Sequence, residues 1–543
     1  MTTVADYLID RLKQAGVRHV FGIPGDYVLD FYDQLWNAPG IEVVNTTDEA
    51  HAGFAADAYA RVNGIGCACV TYNVGALKLA NSVACAYAER SPMVIISGSP
   101  GIKERDEGML LHHMVRSFTC QAEIFANITC DSVVLDHPGH AAYLIDRALM
   151  NLNHYKQPVY IELPRDVVNL PINLEYPSHI GAPVRPKSDA KTLEEAVREV
   201  YALIEEAERP VILAGVEVAR YGLSDALLSF AEKTNLPVAT ELLSKSVFSE
   251  RHPLFAGLYS GGSSDEFTRE LVEESDCLLM FGVLLTDMTL NFMPTRFKKR
   301  RSVSCSLSGL QVKNHVYQDV QFQDFCEALW RREFTRREKP VLQEWEDVAP
   351  FVPTDAIITT KRLLHKIQTI MDERSAIIAD VGDSLFGALQ LRVHHSNQFL
   401  SPAFYTSMGT AIPGALGFGC AMPSVRPIVL VGDGAFQMTM TELSTILRLH
   451  QNPILFVLNN DGYSTERLLK DGGYNDLPEW NYHRIADIFG SGGGSLVFNE
   501  KELEEAVSTA IASNELHIIN VKLARDDYSE TLKRMTTALA KRV

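Results

Sequence analysis

Two kinds of segment alternate along the whole chain and limit the folds that are open to it. Short apolar runs, such as residues 20–23, 67–71 and 93–97, are each followed by glycine or proline and then by a stretch of helical periodicity. Continuous apolar runs separated by helices are typical of parallel strands buried on both faces of a sheet. The sequence therefore predicts an α/β fold built from doubly wound parallel sheets.

The alternation is long enough for more than one domain. A chain of 543 residues exceeds what one hydrophobic core accommodates. A proline-rich segment at residues 176–187 and a charged segment at residues 331–346 interrupt the pattern, and we interpret both as boundaries. The sequence thus predicts three consecutive α/β domains, at residues 1–175, 188–335 and 350–543.

Composition excludes several classes of partner. The net charge of −18 argues against binding to nucleic acid or to an anionic membrane. No apolar run approaches the roughly 18 to 20 residues of a membrane span, and the N-terminus lacks the pattern of a signal peptide, so a cytoplasmic location is expected. Of the nine scattered cysteines, only Cys67 and Cys69 form a close pair; they lie on one face of a predicted strand and are expected to be buried and reduced rather than a metal or redox pair.

Polar residues follow two of the predicted strands in the last domain. Asp433 comes two residues after the apolar run 429–431, and Asn460 comes two residues after the run 455–458. Ligands of open α/β sheets bind just beyond the carboxyl ends of strands, so both residues are expected at one site. Their oxygen atoms suit Mg²⁺ or Ca²⁺.

The glycines beside Asp433 are suited to a phosphate. Gly432 and Gly434 allow the backbone to approach a phosphate closely, and the start of a following helix, predicted over residues 440–449, favours negative charge. The same residues could instead form two ordinary strand-end turns, because Gly-Asp-Gly is a common sequence. From the residues alone both interpretations stay open.

The two motifs together resemble the diphosphate motif of thiamine-diphosphate enzymes, in which Gly-Asp-Gly precedes a double Asn. The resemblance covers essentially the whole chain and is weakest in the middle domain. It implies that thiamine diphosphate is the cofactor. It also implies that Asp433, Asn460 and the backbone carbonyl of Gly462 hold the Mg²⁺ that clamps its diphosphate.

A second segment of the family lies in the first domain. Residues 45–61, with Glu49 near their start, resemble the segment that activates the cofactor. In the family this glutamate bonds to a ring nitrogen of the aminopyrimidine, and an apolar setting around an isolated carboxylate stabilises the imino form that deprotonates the thiazolium carbon. Taken alone, Glu49 could equally be a carboxylate that stabilises a helix N-terminus.

The reaction type is indicated by a smaller set of residues. The adjacent His112 and His113 resemble the pair of pyruvate, indolepyruvate, phenylpyruvate and branched-chain 2-keto acid decarboxylases, and Asp26 and Glu466 match acids of the same enzymes. The resemblance implies a proton relay, which protonates the enamine left by decarboxylation and releases the aldehyde. Without the family, two adjacent histidines more often have a surface or core role.

Further positions match family contacts to the cofactor. The resemblance implies that a loop at Asp383 contacts the diphosphate, that the carbonyl of Thr406 accepts a bond from the amino group, and that Met408 wedges between the two rings. A core methionine is the alternative for Met408. The remaining positions expected to contact the cofactor are Ser384, Gly432, Gly434, Ala435 and Tyr463.

The substrate is indicated only weakly. Leu385, Thr465 and Leu469 are expected to line the substrate pocket, and smaller side chains than those of many relatives favour larger aliphatic or aromatic 2-keto acids. Pyruvate or benzoylformate decarboxylation and carboligation are the alternatives. The sequence at Gly215 lacks Gly-x-Gly-x-x-Gly, so no dinucleotide is expected in the middle domain. A catalytically dead homologue would be expected to lack Glu49 or a metal ligand, and none is missing.

The family also implies an oligomer. The first and third domains each carry half of one cofactor site, and in the family the two halves come from different chains. The resemblance therefore implies a homodimer at minimum and a homotetramer as the complete assembly.

Overall fold

The fold rests on three sheets with helices between their strands. The computed structural model describes residues 2–105, 108–174, 182–292, 297, 299–342 and 348–540. Two sheets have six strands and one has seven, and parallel neighbours dominate all three. The predicted α/β class is confirmed. Residues 176–181 and 343–346 of the two predicted boundary segments lie outside the described residues.

The first sheet is parallel throughout, with the order β2-β1-β3-β4-β6-β5. Its strands are β1 His19–Gly22, β2 Glu42–Asn45, β3 Gly66–Val70, β4 Met93–Ser99, β5 Asp131–Val134 and β6 Val159–Pro164. The helices of this block are α1 Val4–Ala15, α2 Leu29–Trp36, α3 Glu49–Asn63, α4 Ala76–Ala88, α5 Ile102–Arg105, α6 Cys120–Ala126 and α7 Pro138–Tyr155.

Helix α1 shows how local sequence sets an element. Thr3 and Asp6 form a capping box at its start, and Gly16 ends it in a left-handed conformation with φ 100°. Val4, Leu8 and Leu12 recur at helical spacing and are buried. The prediction of a helix closed by Gly16 is confirmed. The expectation for Cys67 and Cys69 is also confirmed, because both are buried in one core and all nine cysteines are free thiols.

The middle sheet has the order β13-β12-β11-β10-β7-β8-β9. Its strands are β7 Pro210–Ala214, β8 Val238–Glu241, β9 Phe255–Tyr259, β10 Cys277–Phe281, β11 Ser302–Ser306, β12 Gly309–Val312 and β13 His315–Tyr317. The helices of this block are α8 Ala190–Glu206, α9 Val216–Arg220, α10 Ser224–Thr234, α11 Glu266–Glu273 and α12 Phe322–Trp330.

The middle sheet departs from the predicted all-parallel arrangement at one edge. β12 runs antiparallel to both of its neighbours, β11 and β13. The turns between them are too short for a crossover, so the chain can only reverse direction there. Gly309 with φ 131° and Lys313 with φ 56° carry the left-handed conformations of these tight turns.

The last sheet has the order β15-β14-β16-β17-β19-β18 and is parallel. Its strands are β14 Ser375–Ala379, β15 Phe399–Leu400, β16 Arg426–Gly432, β17 Ile454–Asn459, β18 Gly493–Val497 and β19 His517–Lys522. The helices of this block are α13 Thr360–Ile370, α14 Asp383–Ala388, α15 Ala411–Ala421, α16 Asp433–Thr439, α17 Leu443–Arg448, α18 Ser464–Leu469, α19 Ile485–Phe489, α20 Glu500–Ala512 and α21 Glu530–Leu539.

The helix predicted over residues 440–449 is present as a 3-10 turn followed by α17, but the prediction missed the helix before it. α16 begins at Asp433, directly after β16, and a 3-10 turn at Met440–Glu442 separates it from α17. An aspartate in the first turn stabilises a helix start through the helix dipole, which favours the early beginning. The Gly-Asp-Gly motif therefore forms the strand-to-helix junction itself rather than a loop before a distant helix.

The described chain forms two compact units. The first contains residues 1–185, 409–424 and 439–451, and the second contains residues 186–408, 425–438 and 452–543. Within the first unit, α15 packs closely on α3, and a Cβ on Gly417 would lie 2.0 Å from the carbonyl oxygen of Ala55. Short apolar helices from the last third of the sequence thus complete the core of the first unit.

Candidate active site

A cavity of about 590 Å³ lies in the second unit, at the carboxyl ends of β14, β16 and β17. These strands are parallel neighbours, so the polar residues that follow each of them meet at one edge of the sheet. The residues predicted for the cofactor or the chemistry that line this cavity are Asp383, Ser384, Thr406, Met408, Gly432, Asp433, Gly434, Ala435, Asn460, Gly462, Tyr463, Thr465 and Glu466.

Asp433 is the most constrained carboxylate of the cavity. One of its oxygens accepts a hydrogen bond from Gly434 N at 2.8 Å, and the other accepts one from Gly462 N at 3.0 Å. Burial raises the pKa of Asp433 to about 6 despite these two bonds. A buried carboxylate with spare lone pairs is a suitable ligand for a divalent cation, whose charge favours the ionised form.

Asn460 and Gly462 lie in a turn held by a buried arginine. The guanidinium of Arg467 donates to the carbonyl of Asn460 at 2.8 Å and to Asp476 Oδ1 at 2.9 Å. The amide nitrogen of Asn460 donates to Ser464 Oγ at 2.5 Å, which leaves its side-chain oxygen as an acceptor. The turn therefore presents hard oxygen atoms beside Asp433, as Mg²⁺ requires. Sequence reasoning gave Arg467 no role.

Two glycines make this geometry possible. Gly462 has φ 149°, and a Cβ there would lie 2.0 Å from the carbonyl oxygen of Asn475. A Cβ on Gly432 would meet no atom within 4 Å, although the residue lines the cavity. Gly432 therefore leaves open the space in which a phosphate could approach the backbone, near the start of α16.

The loop before α14 adds unsatisfied polar atoms. Gly382 turns the chain with φ 84°, and Asp383 Oδ1 and Ser384 Oγ are buried without a hydrogen-bond partner among the described residues. Burial raises the pKa of Asp383 to about 6, although Ser529 donates to it. Buried polar atoms without partners in a cavity indicate a polar ligand. A diphosphate with its cation fits this set of donors and acceptors.

The loop at residues 402–408 is backbone-strained. Thr406 has φ 54°, which is unfavourable for a β-branched residue, and its N–H donates to the carbonyl of Pro402 at 3.0 Å. Strain of this kind is concentrated at functional sites. Met408 borders the same cavity with part of its side chain accessible, so it is not a simple core methionine.

Of the three residues predicted for the substrate pocket, one lines this cavity and two do not. Thr465 lines the cavity, whereas Leu385 is fully buried in the hydrophobic core and its neighbour Phe386 lines the cavity instead. Leu469 ends α18, one turn beyond Thr465, and is not among the described lining residues. The apolar lining that sequence reasoning missed comes from the middle domain and α21 and consists of Met288, Phe292, Leu532, Met535 and Leu539.

Glu49 lies in the first unit, as the first residue of α3. Asp48 caps this helix by accepting from Ala50 N at 2.9 Å. The surrounding helix is almost entirely buried, as predicted. The carboxylate is not isolated, however, because Lys78 Nζ lies 3.0 Å from Glu49 Oε2. The lysine comes from α4 and was not foreseen, since no periodicity relates it to Glu49.

A buried clamp holds the chain just before Glu49. Glu442 Oε2 accepts hydrogen bonds from Thr47 N at 3.1 Å and Thr47 Oγ at 2.7 Å, and lies 2.8 Å from His51 Nδ1. Burial alone would raise the pKa of Glu442, but the bonds from His51, Thr445 and Thr47 lower it below its ordinary value. This carboxylate fixes the turn from which α3 starts.

Three of the four predicted relay residues come together in the first unit. His112 Nε2 lies 2.7 Å from Asp26 Oδ2, and the His112 and His113 ring centroids are 4.7 Å apart. Tyr27 stacks on His112 with centroids 4.6 Å apart, and its hydroxyl lies 3.2 Å from His112 Nδ1. Asp26 and His112 are hydrogen-bonded to each other, and the ring of His113 packs against that of His112.

The second histidine is held by its backbone. His113 has φ 66°, its carbonyl accepts from Asn73 Nδ2 at 2.6 Å, and its Nδ1 is buried without a partner among the described residues. Sequence reasoning missed Asn73 and Tyr27 because each acts on the histidines across a large sequence separation. Glu466, the fourth predicted residue, is an exposed residue of the second unit at the cavity.

Comparison with known proteins identifies the family. Three models of thiamine pyrophosphate enzymes match the chain: the N-terminal TPP binding domain at residues 2–120, the central domain at 197–330 and the C-terminal TPP binding domain at 380–521. A probable pyruvate decarboxylase of Schizosaccharomyces pombe is 32% identical over 544 residues, which cover 98% of this chain and 95% of that protein.

Two further relatives match over more than nine tenths of their length. Indole-3-pyruvate decarboxylase of Azospirillum brasilense is 32% identical over 98% of this chain and 97% of its own. Pyruvate decarboxylase 3 of Arabidopsis thaliana is 31% identical over 98% of this chain and 92% of its own. In addition, no described helix is long and apolar enough to cross a bilayer.

Proposed function

Because this chain belongs to the thiamine pyrophosphate enzyme family, we propose that it is a non-oxidative decarboxylase that converts a 2-keto acid to an aldehyde and carbon dioxide. The observation that carries the proposal is the cluster of Asp26, His112 and His113, with a 2.7 Å contact between the first two. Relatives named pyruvate decarboxylase and indole-3-pyruvate decarboxylase support the same reaction.

The cofactor is thiamine diphosphate, held through Mg²⁺. When bound, it supplies a carbon nucleophile and an electron sink for the carboxylate that leaves. We assign the side chains of Asp433 and Asn460 and the carbonyl of Gly462 to Mg²⁺, and Ser384 with the Gly432 backbone to the diphosphate. The support is a buried carboxylate and unpartnered buried polar atoms in one cavity.

The remaining chemistry of the chain is proton handling and positioning. With the cofactor bound, Glu49 would share a proton with its ring nitrogen, the carbonyl of Thr406 would accept a bond from its amino group, and Met408 would wedge between its two rings. Asp26, His112, His113 and Glu466 would donate the proton that replaces the lost carboxylate and would accept the hydroxyl proton as the aldehyde leaves. Histidine and carboxylate suit both transfers near neutral pH.

The substrate is a larger aliphatic or aromatic 2-keto acid. The cavity wall contains flexible or branched apolar side chains, including Met288, Met535 and Leu539, which can accommodate a side chain beyond the methyl of pyruvate. Smaller keto acids enter the same cavity with fewer contacts, so we expect pyruvate to be used with a lower specificity constant.

The active assembly is a homodimer at minimum, with a homotetramer as its complete form. Three apolar residues close in sequence to the histidine pair are exposed in the single chain. The exposed fraction is 90% for Leu110, 61% for Val115 and 55% for Met109. Apolar side chains clustered in this way favour a protein partner. Light scattering of the purified protein, with and without cofactor, measures the assembly. The cytoplasmic location stays a prediction.

The decisive experiment measures aldehyde release with added thiamine diphosphate and Mg²⁺, coupled to an alcohol dehydrogenase. The panel contains pyruvate, the 2-keto acids of valine and leucine, phenylpyruvate, indolepyruvate and benzoylformate. We expect cofactor-dependent aldehyde and none from a Glu49→Gln variant. Carbon dioxide without aldehyde would instead indicate carboligation, and turnover of no member would refute the proposal.

A further inference from the structure

A lysine that the proposed reaction does not use lies against the carboxylate assigned to cofactor activation. Lys78 Nζ is 3.0 Å from Glu49 Oε2 and 2.5 Å from Asp48 Oδ2. Lys78 lies in the first turn of α4, and both carboxylates lie at the start of α3. Two helix starts of the first unit are therefore joined by one cation shared between two acids.

The surroundings make this cluster more than a contact between solvated side chains. The side chain of Glu49 is 12% exposed, that of Asp48 is 32% exposed and that of Lys78 is 51% exposed. A Cβ on Gly75, just before α4, would lie 3.2 Å from Glu49 Oε1. Glu49 thus lies in a narrow space between the two helix starts, and Lys78 reaches it from the solvent side.

The charges of the cluster are mutually consistent. The hydrogen bonds to Asp48 and then to Glu49 raise the pKa of Lys78, so the lysine is a cation. Burial alone would raise the pKa of Asp48, but the hydrogen bonds from Lys78 and Ala50 N lower it below its ordinary value. Asp48 therefore stays ionised as a second partner for the lysine.

We propose that Lys78 is a positioning residue for Glu49: it holds the Glu49 carboxylate in an ion pair until the ring nitrogen of the cofactor takes the place of the lysine. The inference rests on the proposed function. A carboxylate that activates the cofactor must bond to the ring nitrogen, whereas Glu49 Oε2 here bonds to Lys78 Nζ at 3.0 Å. Lys78 and the cofactor therefore compete for Glu49.

Asp48 makes the exchange reversible. When Glu49 turns to the cofactor, Lys78 keeps its 2.5 Å contact with Asp48, so only one of its two ion pairs is lost. Before the cofactor binds, Lys78 separates two carboxylates that would otherwise repel each other. The lysine thus stabilises the cofactor-free protein and weakens cofactor binding, which are two linked effects of one interaction.

A purely structural ion pair would behave differently. Pairs between partly exposed side chains contribute little to stability in general, and the effect of removing the lysine from such a pair would not depend on the charge at residue 49. The proposed role instead requires that the effect of Lys78 on cofactor affinity disappears when residue 49 carries no charge. A double-mutant cycle isolates that dependence.

The test measures the dissociation constant of thiamine diphosphate, at saturating Mg²⁺, from the quenching of protein fluorescence in the full-length chain. The variants are Lys78→Met, Lys78→Gln, Lys78→Arg, Glu49→Gln and the double variant. Lys501→Met is the matched control, because Lys501 pairs with Asp355 at 2.8 Å and its side chain is 55% exposed.

We expect both neutral replacements of Lys78 to lower the dissociation constant about two- to fivefold, as for the loss of a partly exposed ion pair. Lys78→Arg should retain the wild-type value, and Lys78→Met should have no effect in the Glu49→Gln background. The melting temperature of the cofactor-free protein should fall more with Lys78→Met than with Lys501→Met.

The possible failures are distinguishable. If the wild-type chain binds no thiamine diphosphate, both the proposed function and this inference are wrong. If the wild type binds but neutralising Lys78 leaves the affinity unchanged, weakens it, or changes it equally in both Glu49 backgrounds, the inference about Lys78 is wrong and the proposed function stands.

Discussion

The backbone nitrogen of Ser529 donates a 2.9 Å hydrogen bond to Asp383 Oδ2. Asp383 starts α14 in the loop assigned to the diphosphate, and Ser529 caps α21, whose Leu532 and Met535 line the same cavity. One buried carboxylate therefore ties the cofactor loop to the helix that forms the apolar wall. Neither residue can move far without the other.

Removing the hydrogen bond between Ser529 N and Asp383 should lower the local stability of α21. We expect Asp383→Ala to speed amide hydrogen exchange in α21, because a buried N–H that loses its acceptor costs about 1–3 kcal/mol. Asp383→Asn keeps an oxygen acceptor and removes the buried charge, so exchange there should stay slow. Ser529→Ala, which retains the N–H, is the control for the lost cap. Equal rates of amide hydrogen exchange in α21 for the two Asp383 variants would show that this hydrogen bond does not stabilise the helix.

The two glycines of the metal-side motif should respond in opposite ways. Gly432→Ala adds a methyl group to open space in the cavity, so we expect unchanged stability of the cofactor-free protein and a large loss of thiamine diphosphate affinity. Gly462→Ala should lower stability itself, because its Cβ would lie 2.0 Å from the Asn475 carbonyl. Melting curves without cofactor and binding titrations measure both. A Gly432→Ala variant that binds the cofactor normally would contradict the assigned phosphate position.

Variants of the histidine cluster should separate chemistry from binding. We expect Asp26→Asn, His112→Gln and His113→Gln each to lower kcat about 10²- to 10⁴-fold while thiamine diphosphate affinity stays within about threefold, because general acid–base catalysis contributes that much. Tyr27→Phe keeps the ring stacked on His112 and removes one hydroxyl, so its effect should be much smaller. Steady-state kinetics and cofactor titrations measure these values. A full kcat in any of the three variants would remove that residue from the relay.

The clamp at Glu442 gives a prediction with a pH dependence. At neutral pH, Glu442→Gln should lower the free energy of unfolding by about 1–3 kcal/mol, because a buried charged acceptor of several hydrogen bonds is lost. The folded-state pKa of Glu442 lies below its ordinary value of 4.5, so its contribution is complete above 4.5 and is lost as the pH falls further.

Denaturant unfolding of the wild type and Glu442→Gln from neutral pH to below 4.5 measures the difference between them. We expect the two curves to converge at low pH, since a protonated glutamate resembles the glutamine. Glu515→Gln, at an exposed position, should show no comparable difference at any pH. A difference in the free energy of unfolding between wild type and Glu442→Gln that stays constant with pH would refute the role of the Glu442 charge.

The parts of the site that were predictable are those that follow a strand directly. Asp433 and Asn460 each come within a residue or two of the end of an apolar run, and parallel neighbours bring such ends to one edge. Leu385 and Leu469 were assigned to the pocket by position in a motif alone. Which side of a short helix faces a cavity depends on the packing around it, and that packing placed Leu385 in the core.

By itself, the sequence determined the α/β class, the helix closed by Gly16, the buried thiols and the residues that gather at the carboxyl ends of the last sheet. Each of these follows from periodicity, capping or strand ends, which are properties of neighbouring residues. The tertiary structure alone decided that Lys78 reaches Glu49, that Ser529 bonds to Asp383 and that Arg467 holds the Asn460 turn. The first two contacts join elements far apart in the chain, and the third depends on how a short helix folds back on its own turn. All three arise from the packing of helices and loops, which local patterns do not encode.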